Sequence, residues 1–235
     1  MTNLKIIYED NDLLVVDKPA GLIVFSERKS AEKTLADYLI EKFPYLKNNK
    51  PPRYGIVHRL DKDTSGVLLV TKNDETLFFL QKQFKNRTIQ KKYLALVTGE
   101  IKNNEGIIET LIGRSPKDGK KQKVFLSGEP GSQDKRQAIT EYKVVERYDG
   151  YTLLEVVPKT GRKHQIRCHL AHIHHPIAGD KVYGFKNQQT PKGLNRHFLH
   201  ASYLKIELPN GQIKELKSDL PEELRNVITK LKTKS

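Results

Sequence analysis

The hydrophobic residues of the chain recur with two different spacings, and each spacing predicts a different element. Alternation of apolar and polar residues, bounded by Gly, Pro, Asn or Asp, predicts β-strands. Asp149-Gly150 and Asn210-Gly211 stand between such stretches and predict tight hairpin turns. The predicted strands cover residues 6–15 as two short strands, then 93–101, 106–112, 138–148, 151–158 and the two arms of 199–217.

Apolar residues three and four positions apart predict helices between these strands. In residues 34–43, Leu35 and Leu39 fall on one face, and Thr34 with Asp37 resembles a capping box. Asn73 is a favourable cap for a second helix over residues 74–86. Two further helices are predicted over residues 161–173 and 221–232.

Strands dominate this pattern and a few helices lie between them, so we expect an α+β (mixed α/β) fold. Its centre would be a mostly antiparallel β-sheet flanked by helices and loops. The chain shows no repeat and no interdomain linker, which predicts a single domain over residues 1–235. Residues 114–137 are predicted to form a long polar loop whose lysines and arginines favour contact with RNA, with a solvated insertion as the alternative.

The charge of the chain points to its partner. Lys and Arg outnumber Asp and Glu by 42 to 28, which gives a net charge of +14. Such an excess favours a polyanionic partner such as nucleic acid, and the alternative is a well-solvated cationic surface. Cys168 is the one cysteine, so no intrachain disulfide can form. The N-terminus lacks a signal-peptide pattern and no apolar run is long enough to span a membrane, so we expect a cytoplasmic protein without membrane contact.

A search for cofactor and metal motifs finds none. The sequence contains no P-loop, no G-x-G-x-x-G after a strand and no H-E-x-x-H. Histidines cluster in "HQIRCHLAHIHH" (164–175), but they do not share one helical face and no acidic residue stands among them. We therefore expect no metal and no cofactor, and we expect these histidines to cap a helix end or to meet phosphate.

One connection between two apolar runs contains many charged and hydroxyl side chains: "GIVHRLDKDTSGVLLV" (55–70). Asp61 lies on it beside His58, Arg59 and Lys62, and neighbouring cations favour an ionised carboxylate. An ionised carboxylate on a rigid loop can act as a nucleophile or a base. The alternative is an ordinary turn aspartate that bonds its own backbone, and Asp63 competes for the same role.

Several stretches of the chain, in order, resemble the RluA-like pseudouridine synthases. "HRLDKDTSG" (58–66) looks like the signature of that family. The resemblance covers nearly the whole chain. Its other parts are "YEDNDLLVVDKPAGLIV" (8–24), "KKYLALVTGEI" (91–101), "PKTGRKHQIRCHLAHIHHPIAGDKVYG" (158–184) and "LHASYLKIELP" (199–209).

The resemblance implies an RNA uridine-to-pseudouridine isomerase and a role for particular residues. Asp61 corresponds to the catalytic aspartate, and Asp63 has no catalytic assignment. Tyr93 is expected to stack on the target base, and Arg167 to pair with the catalytic carboxylate. Arg59 is expected to help turn the target nucleotide out of its helix. The predicted substrate-binding residues are His58, Arg59, Lys62, Thr64, Arg162, His164 and Gln165.

The implied reaction breaks the N1–C1′ bond of uridine, rotates the uracil and rejoins it through C5. No atoms are added, so no cofactor is required. Asp61 would attack C1′ or take a proton from C2′, and the sequence leaves both routes open. An aromatic face suits a rotating base, because stacking tolerates rotation better than fixed hydrogen bonds do. Without the family resemblance, Tyr93 would be interpreted as a core tyrosine at the start of a strand.

Many relatives carry a small RNA-binding domain before the catalytic one, and this chain starts directly at the catalytic opening. RNA selection is then expected to rest on the catalytic domain, including residues 114–137 and both chain ends. Large-subunit ribosomal RNA and transfer RNA are both open as substrates. We expect a monomer without an obligatory protein partner. The alternative functions are a catalytically silent RNA-binding or ribosome-assembly factor, and an enzyme that acts on a phosphorylated substrate, such as a glycosidase or nucleotide hydrolase. The latter would need a second essential carboxylate or a metal.

Overall fold

The computed structural model describes residues 4–27, 32–119 and 121–233. Their contacts divide the chain into two compact units: Met1–Lys91 with Ala201–Asp219 form unit 1, and Lys92–His200 with Leu220–Ser235 form unit 2. The prediction of a single domain stays a prediction. In chain order the elements are β1 (Lys5–Glu9), β2 (Leu13–Lys18), α1 (Leu35–Lys42), a 3₁₀ helix (Pro44–Asn48), β3 (Ser65–Thr71), α2 (Asp74–Asn86), β4 (Gln90–Thr98), β5 (Glu105–Arg114), β6 (Gln122–Phe125), β7 (Arg136–Tyr148), β8 (Tyr151–Pro158), α3 (Gln165–His172), β9 (Leu199–Glu207), β10 (Ile213–Lys217) and α4 (Glu222–Lys232).

Unit 1 contains a sheet with the strand order β1-β2-β3-β9, and β10 pairs antiparallel with β9. β2 and β3 pair antiparallel, with Leu13 opposite Thr71 and Lys18 opposite Gly66. Every residue of β3 is buried, because this strand has a neighbour on both sides and is covered on both faces. The pairing brings the end of β2 next to the start of β3, which is where the residues 58–64 enter the sheet.

The two α-helices of unit 1 begin at the caps that the sequence predicts. Thr34 and Asp37 form a complete capping box at the start of α1. The side chain of Asn73 accepts a hydrogen bond of 2.9 Å from the Thr76 N–H at the start of α2. Leu80 of α2 is fully buried and packs with Leu69 of β3 in the core of this unit. The 3₁₀ helix, Pro44–Asn48, follows α1 after the single residue Phe43.

Unit 2 contains a sheet with the strand order β4-β8-β7-β5-β6, and its described pairs are antiparallel. The Asp149-Gly150 hairpin is confirmed, with Tyr148 opposite Tyr151. A bulge between Val144 and Glu146 turns Val145 outward, where it is exposed. Leu170 of α3 and Val227 of α4 pack with the inner residues of β4 and β8 in one hydrophobic core. The α+β class is confirmed.

The structure corrects the prediction of an unbroken loop over residues 114–137. Residues Gln122–Phe125 form β6, which pairs with β5 from Leu111–Phe125 to Arg114–Gln122. Only Val124 and Phe125 give this strand its apolar pattern, so alternation is too short to detect. Phe125 is buried, and the ammonium groups of Lys123 and Lys135 lie 4.7 and 5.4 Å from its ring centroid. Residue 120 of the predicted loop and the outermost residues of both chain ends lie outside the described residues.

Helix α3 is shorter than the predicted helix over residues 161–173. It begins at Gln165, because His164 at its N-cap has φ of 55° in the left-handed region. A β-carbon makes this conformation costly for residues other than Gly, and it persists only where surrounding contacts hold it. The backbone of residues 161–164 is therefore shaped by tertiary contacts rather than by helical periodicity.

Candidate active site

The loop that carries Asp61 is closed by its own backbone and by the start of β3. The N–H of Thr64 donates to the Asp61 carbonyl at 3.1 Å, which makes a turn of residues 61–64. Thr64 is buried, whereas Asp61 is half-buried. Gly66 follows with φ of 119°, and a β-carbon there would lie 2.2 Å from the Ala201 carbonyl oxygen. Only glycine allows β9 to approach this closely, so Gly66 fixes where the loop meets the sheet.

Lys18, at the end of β2, anchors the Asp61 loop. The sequence patterns did not identify this residue. Its side chain is fully buried at the end of β2. The ammonium donates to the carbonyls of Pro19 at 2.7 Å, Leu22 at 2.8 Å and Lys62 at 2.9 Å. A buried ammonium is tolerated only when such acceptors surround it. Since Lys62 follows Asp61 directly, Lys18 ties the catalytic candidate to the turn after β2. The sequence signal for this anchor is a lysine at the end of an apolar strand, directly before Pro-Ala-Gly.

His58 is held in place by contacts within unit 1. Its Nε2 accepts a hydrogen bond of 3.3 Å from the Leu69 N–H, and its ring stacks on Phe84 with centroids 4.9 Å apart. Burial lowers the pKa of His58 to about 3, and the nearby charge of Lys91 adds to this effect. His58 is therefore neutral at physiological pH and joins the loop to β3 and α2. Its predicted contact with substrate stays a prediction.

The same neighbourhood contains a second perturbed group. Lys91 lies with its ammonium 5.9 Å from the Phe84 ring centroid. Burial, and then the charge of Arg87, lowers the pKa of Lys91 to about 8. A fraction of Lys91 is therefore neutral under mildly alkaline conditions.

Arg59 and Lys62 are the exposed cations of the loop. The Arg59 guanidinium carbon lies 5.6 Å from the ring centroid of Phe25, which also supports Arg53 at 4.9 Å. The Lys62 ammonium pairs with Glu32 at 2.8 Å. The hydrogen bond and the charge of Glu32 raise the pKa of Lys62, so it carries its full charge. These cations can meet phosphate at the surface of unit 1.

Tyr93 belongs to unit 2 and lies on β4 opposite Val156 of β8. It is half-buried and packs against the hydrophobic core of that unit. This position is compatible with both interpretations of Tyr93, because a ring at the edge of a core can offer one face to a ligand.

Arg167 of α3 is clamped by a second carboxylate. Its Nε and Nη2 donate to the two oxygens of Asp180 at 2.7 and 2.9 Å, and both side chains are buried. Burial would raise the pKa of the Asp180 carboxyl. The hydrogen bonds and charge of Arg167, together with the N–H groups of Tyr183 and Val182, hold it below its usual value. Such a two-point bond fixes the direction of the guanidinium plane. Asp180 is a second residue that the sequence reasoning missed, because it lies thirteen positions from Arg167.

The remaining predicted residues surround the start of α3. Gln165 is buried, and its amide oxygen accepts from the Thr160 hydroxyl at 2.7 Å and the Arg162 N–H at 2.9 Å. Its amide nitrogen donates to the Ile139 carbonyl and the Thr140 hydroxyl, both at 3.0 Å. These bonds give Gln165 a structural role, and its predicted contact with substrate stays a prediction.

Arg162 and His164 are less buried than Gln165. Nε of Arg162 donates to the Gln137 carbonyl at 3.0 Å, and Nδ1 of His164 lies 2.9 Å from the Tyr183 hydroxyl. Both side chains thus join the start of α3 to other parts of unit 2.

The expectation that the histidines of residues 164–175 cap a helix end or meet phosphate is wrong for His169. Its ring is fully buried, with Nε2 3.0 Å from the Thr110 hydroxyl and Nδ1 2.9 Å from the Thr140 hydroxyl. Burial, and then the charge of His172, lowers the pKa of His169 to about 4. His169 is thus a neutral bridge between α3 and strands β5 and β7. In the part of the chain that the structure describes, no three His, Cys, Asp or Glu side chains group as metal ligands do.

The structure thus collects the predicted residues in two places. His58, Arg59, Asp61, Lys62 and Thr64 share one loop of unit 1. Arg162, His164, Gln165 and Arg167 surround the start of α3 in unit 2, and Tyr93 lies on β4 of the same unit.

The described residues thus combine an α+β fold with a carboxylate loop that is anchored beside β3. The chain belongs to the RNA pseudouridylate synthase family, whose model matches residues 12–172. The matched residues include Asp61, Tyr93 and Arg167.

The chain is similar to curated proteins along most of its length. It is 41% identical over 227 residues to ribosomal large subunit pseudouridine synthase D of Nitrosomonas europaea, a match that covers 94% of this chain and 63% of the relative. It is 39% identical over 232 residues to the uncharacterized RNA pseudouridine synthase YlyB of Bacillus subtilis, which covers 98% of this chain and 73% of that protein. The chain therefore spans less than two thirds of the Nitrosomonas protein.

Solved structures of the family share the fold. Human RNA pseudouridylate synthase domain containing 1 superposes with a TM-score of 0.76 at 28% identity, covering 98% of this chain and 95% of that chain. Human RNA pseudouridylate synthase domain containing 4 gives a TM-score of 0.79 at 26% identity, covering 97% of this chain and 92% of that chain. Within residues 4–27, 32–119 and 121–233, no helix has the length and apolar content to cross a bilayer.

Proposed function

We propose that this protein is an RNA pseudouridine synthase that isomerises particular uridines to pseudouridine. The observation that carries the proposal is the family match over residues 12–172, which contains an aspartate loop held by the buried Lys18. An anchored loop suits catalysis, because a carboxylate must keep its position while the base turns. We propose that residues 1–235 act as one catalytic domain.

Asp61 is the proposed catalytic residue. Its carboxylate attacks C1′ of the target uridine or removes a proton from C2′, and in either case the N1–C1′ bond breaks. The detached uracil rotates and a C5–C1′ bond forms; in the first route this breaks the bond from Asp61 to C1′, and in the second Asp61 returns the proton to C2′. The C5 proton then leaves and N1, which has lost its bond to C1′, takes up a proton, so the product has the atoms of the substrate. Arg167 is proposed to pair with the catalytic carboxylate and to hold it ionised, with its guanidinium in the direction that Asp180 sets.

Tyr93 is the proposed stacking surface for the uracil. Stacking of a base on an aromatic ring contributes about 1–3 kcal/mol and survives rotation of the base. Turning a nucleotide out of its helix costs a few kcal/mol. Contacts of Arg59, Lys62 and Arg162 with phosphate would offset that cost.

Ribosomal RNA of the large subunit is the proposed substrate, and transfer RNA is the second candidate. Several similar proteins, from Nitrosomonas europaea and Borreliella burgdorferi among others, are named ribosomal large subunit pseudouridine synthase D. The net charge of +14 supports a polyanionic partner. We propose that the enzyme works in the cytoplasm, as a monomer, without a cofactor or an obligatory protein partner.

The test maps pseudouridine in total RNA from the source cell, with and without this gene, and with the Asp61→Asn variant. The proposal predicts one or a few lost sites in large-subunit ribosomal RNA that only the wild-type gene restores. Lost sites in transfer RNA would change the substrate but keep the activity. An unchanged map, together with binding of the purified chain to ribosomal RNA, would support the catalytically silent factor instead.

A further inference from the structure

Tyr183 contacts three parts of unit 2 at once. The Arg167 guanidinium carbon lies 5.1 Å from the centroid of its ring. Its hydroxyl accepts a hydrogen bond of 2.8 Å from the N–H of Gln122, the first residue of β6. The same hydroxyl lies 2.9 Å from Nδ1 of His164, at the start of α3. The Tyr183 side chain thus connects Arg167 to β6 and to the N-terminal end of α3, the helix that carries Arg167.

The Tyr183 hydroxyl keeps its proton at neutral pH. Burial raises the pKa of Tyr183 to about 12, although the Gln122 N–H opposes part of this rise. A protonated hydroxyl can accept from Gln122 and donate to Nδ1 of His164 at the same time. The two hydrogen bonds then fix the rotation of the side chain, and the ring is held at the Arg167 guanidinium.

The turn that carries Tyr183 is held by hydrogen bonds to Asp180. The N–H groups of Val182 and Tyr183 donate to Oδ1 of Asp180 at 2.9 and 3.0 Å. The N–H of Gly184 donates to the Asp180 carbonyl at 2.9 Å, and a β-carbon on Gly184 would lie 2.4 Å from that oxygen. Tyr183 is therefore attached to the same carboxylate that holds Arg167. A displacement of the Tyr183 hydroxyl would therefore move the Tyr183 ring against the Arg167 guanidinium. It would also move the Tyr183 backbone, which is hydrogen-bonded to Asp180.

The other end of this connection is a basic hairpin. β5 and β6 pair from Leu111–Phe125 to Arg114–Gln122, and Arg114, Lys121 and Lys123 lie at or next to this pairing. The Lys123 side chain is about half exposed and pairs with Glu129 at 2.9 Å. A polyanion that meets these cations acts on β6, and the Gln122 N–H is the backbone group of β6 that bonds Tyr183.

We propose that Tyr183 is a positioning residue that couples RNA contact at the β5–β6 hairpin to the direction of the Arg167 guanidinium. The inference rests on the proposed function, since it assumes that RNA meets the hairpin and that Arg167 serves the reaction. It adds a residue and a route of communication to that function.

The first experiment compares Tyr183→Phe with wild type. The variant keeps the ring at Arg167 but loses the hydroxyl bonds to Gln122 and His164. Tyr148→Phe is the matched control, because Tyr148 is a buried tyrosine of the same unit whose hydroxyl donates to Glu146 at 2.7 Å. We expect Tyr183→Phe to lower the single-turnover rate at saturating RNA by about 3- to 10-fold, a part of the free energy of the two lost hydrogen bonds, with an unchanged Kd for RNA. The control should leave both quantities unchanged.

The second experiment tests the coupling through Lys123→Ala. In the wild-type background this substitution should raise the Kd for RNA and also lower the single-turnover rate. In the Tyr183→Phe background it should raise the Kd by the same factor but leave the rate unchanged, because the connection is already broken. A merely structural role of Tyr183 would make the two effects on the rate multiply.

The third readout does not depend on activity. The NMR resonance of the Arg167 Nε–H reports the direction of the guanidinium, and it should shift in Tyr183→Phe but not in Tyr148→Phe. Adding a stem-loop transcript of large-subunit ribosomal RNA should shift it in wild type and less in Tyr183→Phe. The inference is wrong if this resonance is the same in wild type and Tyr183→Phe, or if Lys123→Ala lowers the rate by one factor in both backgrounds. A wild-type chain that makes no pseudouridine in any RNA would overturn the proposed function alone, and the resonance would then decide this inference.

Discussion

Unit 1 holds its candidate catalytic loop through main-chain groups, whereas unit 2 holds Arg167 through side chains. In unit 1 the Lys18 ammonium donates to three carbonyl oxygens, and a backbone hydrogen bond closes the Asp61 turn. In unit 2 the Asp180 carboxylate holds the guanidinium. Around α3, the buried Gln165 amide and His169 ring hold the helix by bonds to threonine hydroxyls and one carbonyl.

The difference predicts how each region responds to mutation. Carbonyl groups are present whatever the side chain, so the loop of unit 1 depends heavily on Lys18, with His58 as its other side-chain anchor, and tolerates change at positions that offer only a carbonyl. The start of α3 depends on the identity of several residues, each of which carries part of the restraint. In unit 1 a few substitutions should therefore cause most of the loss of stability and activity, whereas in unit 2 many substitutions should each cause a smaller loss.

The largest effect is expected for Asp61→Asn. This change removes the carboxylate charge while the turn, which is made by the backbone, stays closed. We expect turnover to fall by at least about 10³-fold, as for loss of a nucleophile or base, with stability and the Kd for RNA nearly unchanged. Release of tritium from RNA labelled at C5 of uridine measures turnover.

Asp63→Asn is the matched control, since this aspartate lies on the same loop and has no proposed catalytic role. It should retain activity. If Asp61→Asn turned over at a rate near that of wild type, the assignment of Asp61 would be wrong.

The next effect separates the two kinds of anchoring. Lys18→Met keeps the length of the side chain but leaves three part-buried carbonyls without their donor. A fully buried unsatisfied group costs about 1–3 kcal/mol, and since these three are only partly buried we expect the free energy of unfolding to fall by about 3 kcal/mol in total. The turnover of the remaining folded protein should also fall, because the Lys62 carbonyl and hence the Asp61 loop lose their anchor.

Urea unfolding and single-turnover assays below the melting transition measure both effects of Lys18→Met. Lys72→Met is the control, as Lys72 pairs with Glu9 at 2.8 Å at the surface of the same unit. Equal effects of the two substitutions on turnover would contradict the anchoring role of Lys18.

Where the sequence predicts the fold well, the determining contacts are local. Thr34 with Asp37 and Asn73 with Thr76 make caps within one helical turn, so α1 and α2 begin where their sequences indicate. The strand alternation of residues 138–158 likewise contains its own hairpin turn at Asp149-Gly150.

Where the sequence fails, the determining contacts are distant. His164 takes a left-handed conformation that no helical periodicity contains, and α3 begins after it. The Lys62 carbonyl accepts a hydrogen bond from Lys18, which lies 44 residues away in the chain. A pattern of residues close together in the sequence therefore does not reveal this bond. Motif resemblance indicated Asp61, Tyr93 and Arg167 as site residues, but it did not indicate Lys18, Asp180 or Tyr183, which hold two of them.

The distributed restraint in unit 2 predicts a pH dependence of stability. The pKa of His169 in the folded state is about 4, below the ordinary value of 6.5, so the unfolded chain binds a proton first as pH falls. The stability that neutral His169 provides is present above pH 6.5 and is lost as pH falls from there towards 4. A difference of this size corresponds to about 3 kcal/mol over that range.

Urea unfolding of wild type and His169→Gln at pH 7 and pH 5 tests this dependence. Wild type should lose more stability than the variant between the two values. His174→Gln, an exposed position just after the same helix, should follow wild type. If His169→Gln lost as much stability as wild type, titration of His169 would not contribute in this range.

Tyr93 tests whether a ring at the edge of the unit 2 core has a second role. Tyr93→Ala removes the stacking surface, and we expect single-turnover rates to fall by about 10- to 100-fold, as for loss of one base stack. Tyr93→Phe keeps the ring and should lose less. Equal losses in the two variants would assign the main role to the hydroxyl instead.

The smallest effect is expected for Lys62, whose backbone is anchored but whose side chain is exposed. Lys62→Ala removes the pair with Glu32 while the Lys62 carbonyl still accepts from Lys18. Because exposed ion pairs contribute little, the midpoint of urea unfolding should not move measurably. If the side chain meets a phosphate, the slope of log Kd for RNA against log salt should fall by about 1, and the Kd at low salt should rise a few-fold. Lys205→Ala, which removes a similar exposed pair with Glu215 at 3.5 Å, should leave the slope unchanged. An equal slope in Lys62→Ala and wild type would show that the Lys62 side chain makes no phosphate contact, so that this residue serves the loop only through the carbonyl that accepts from Lys18.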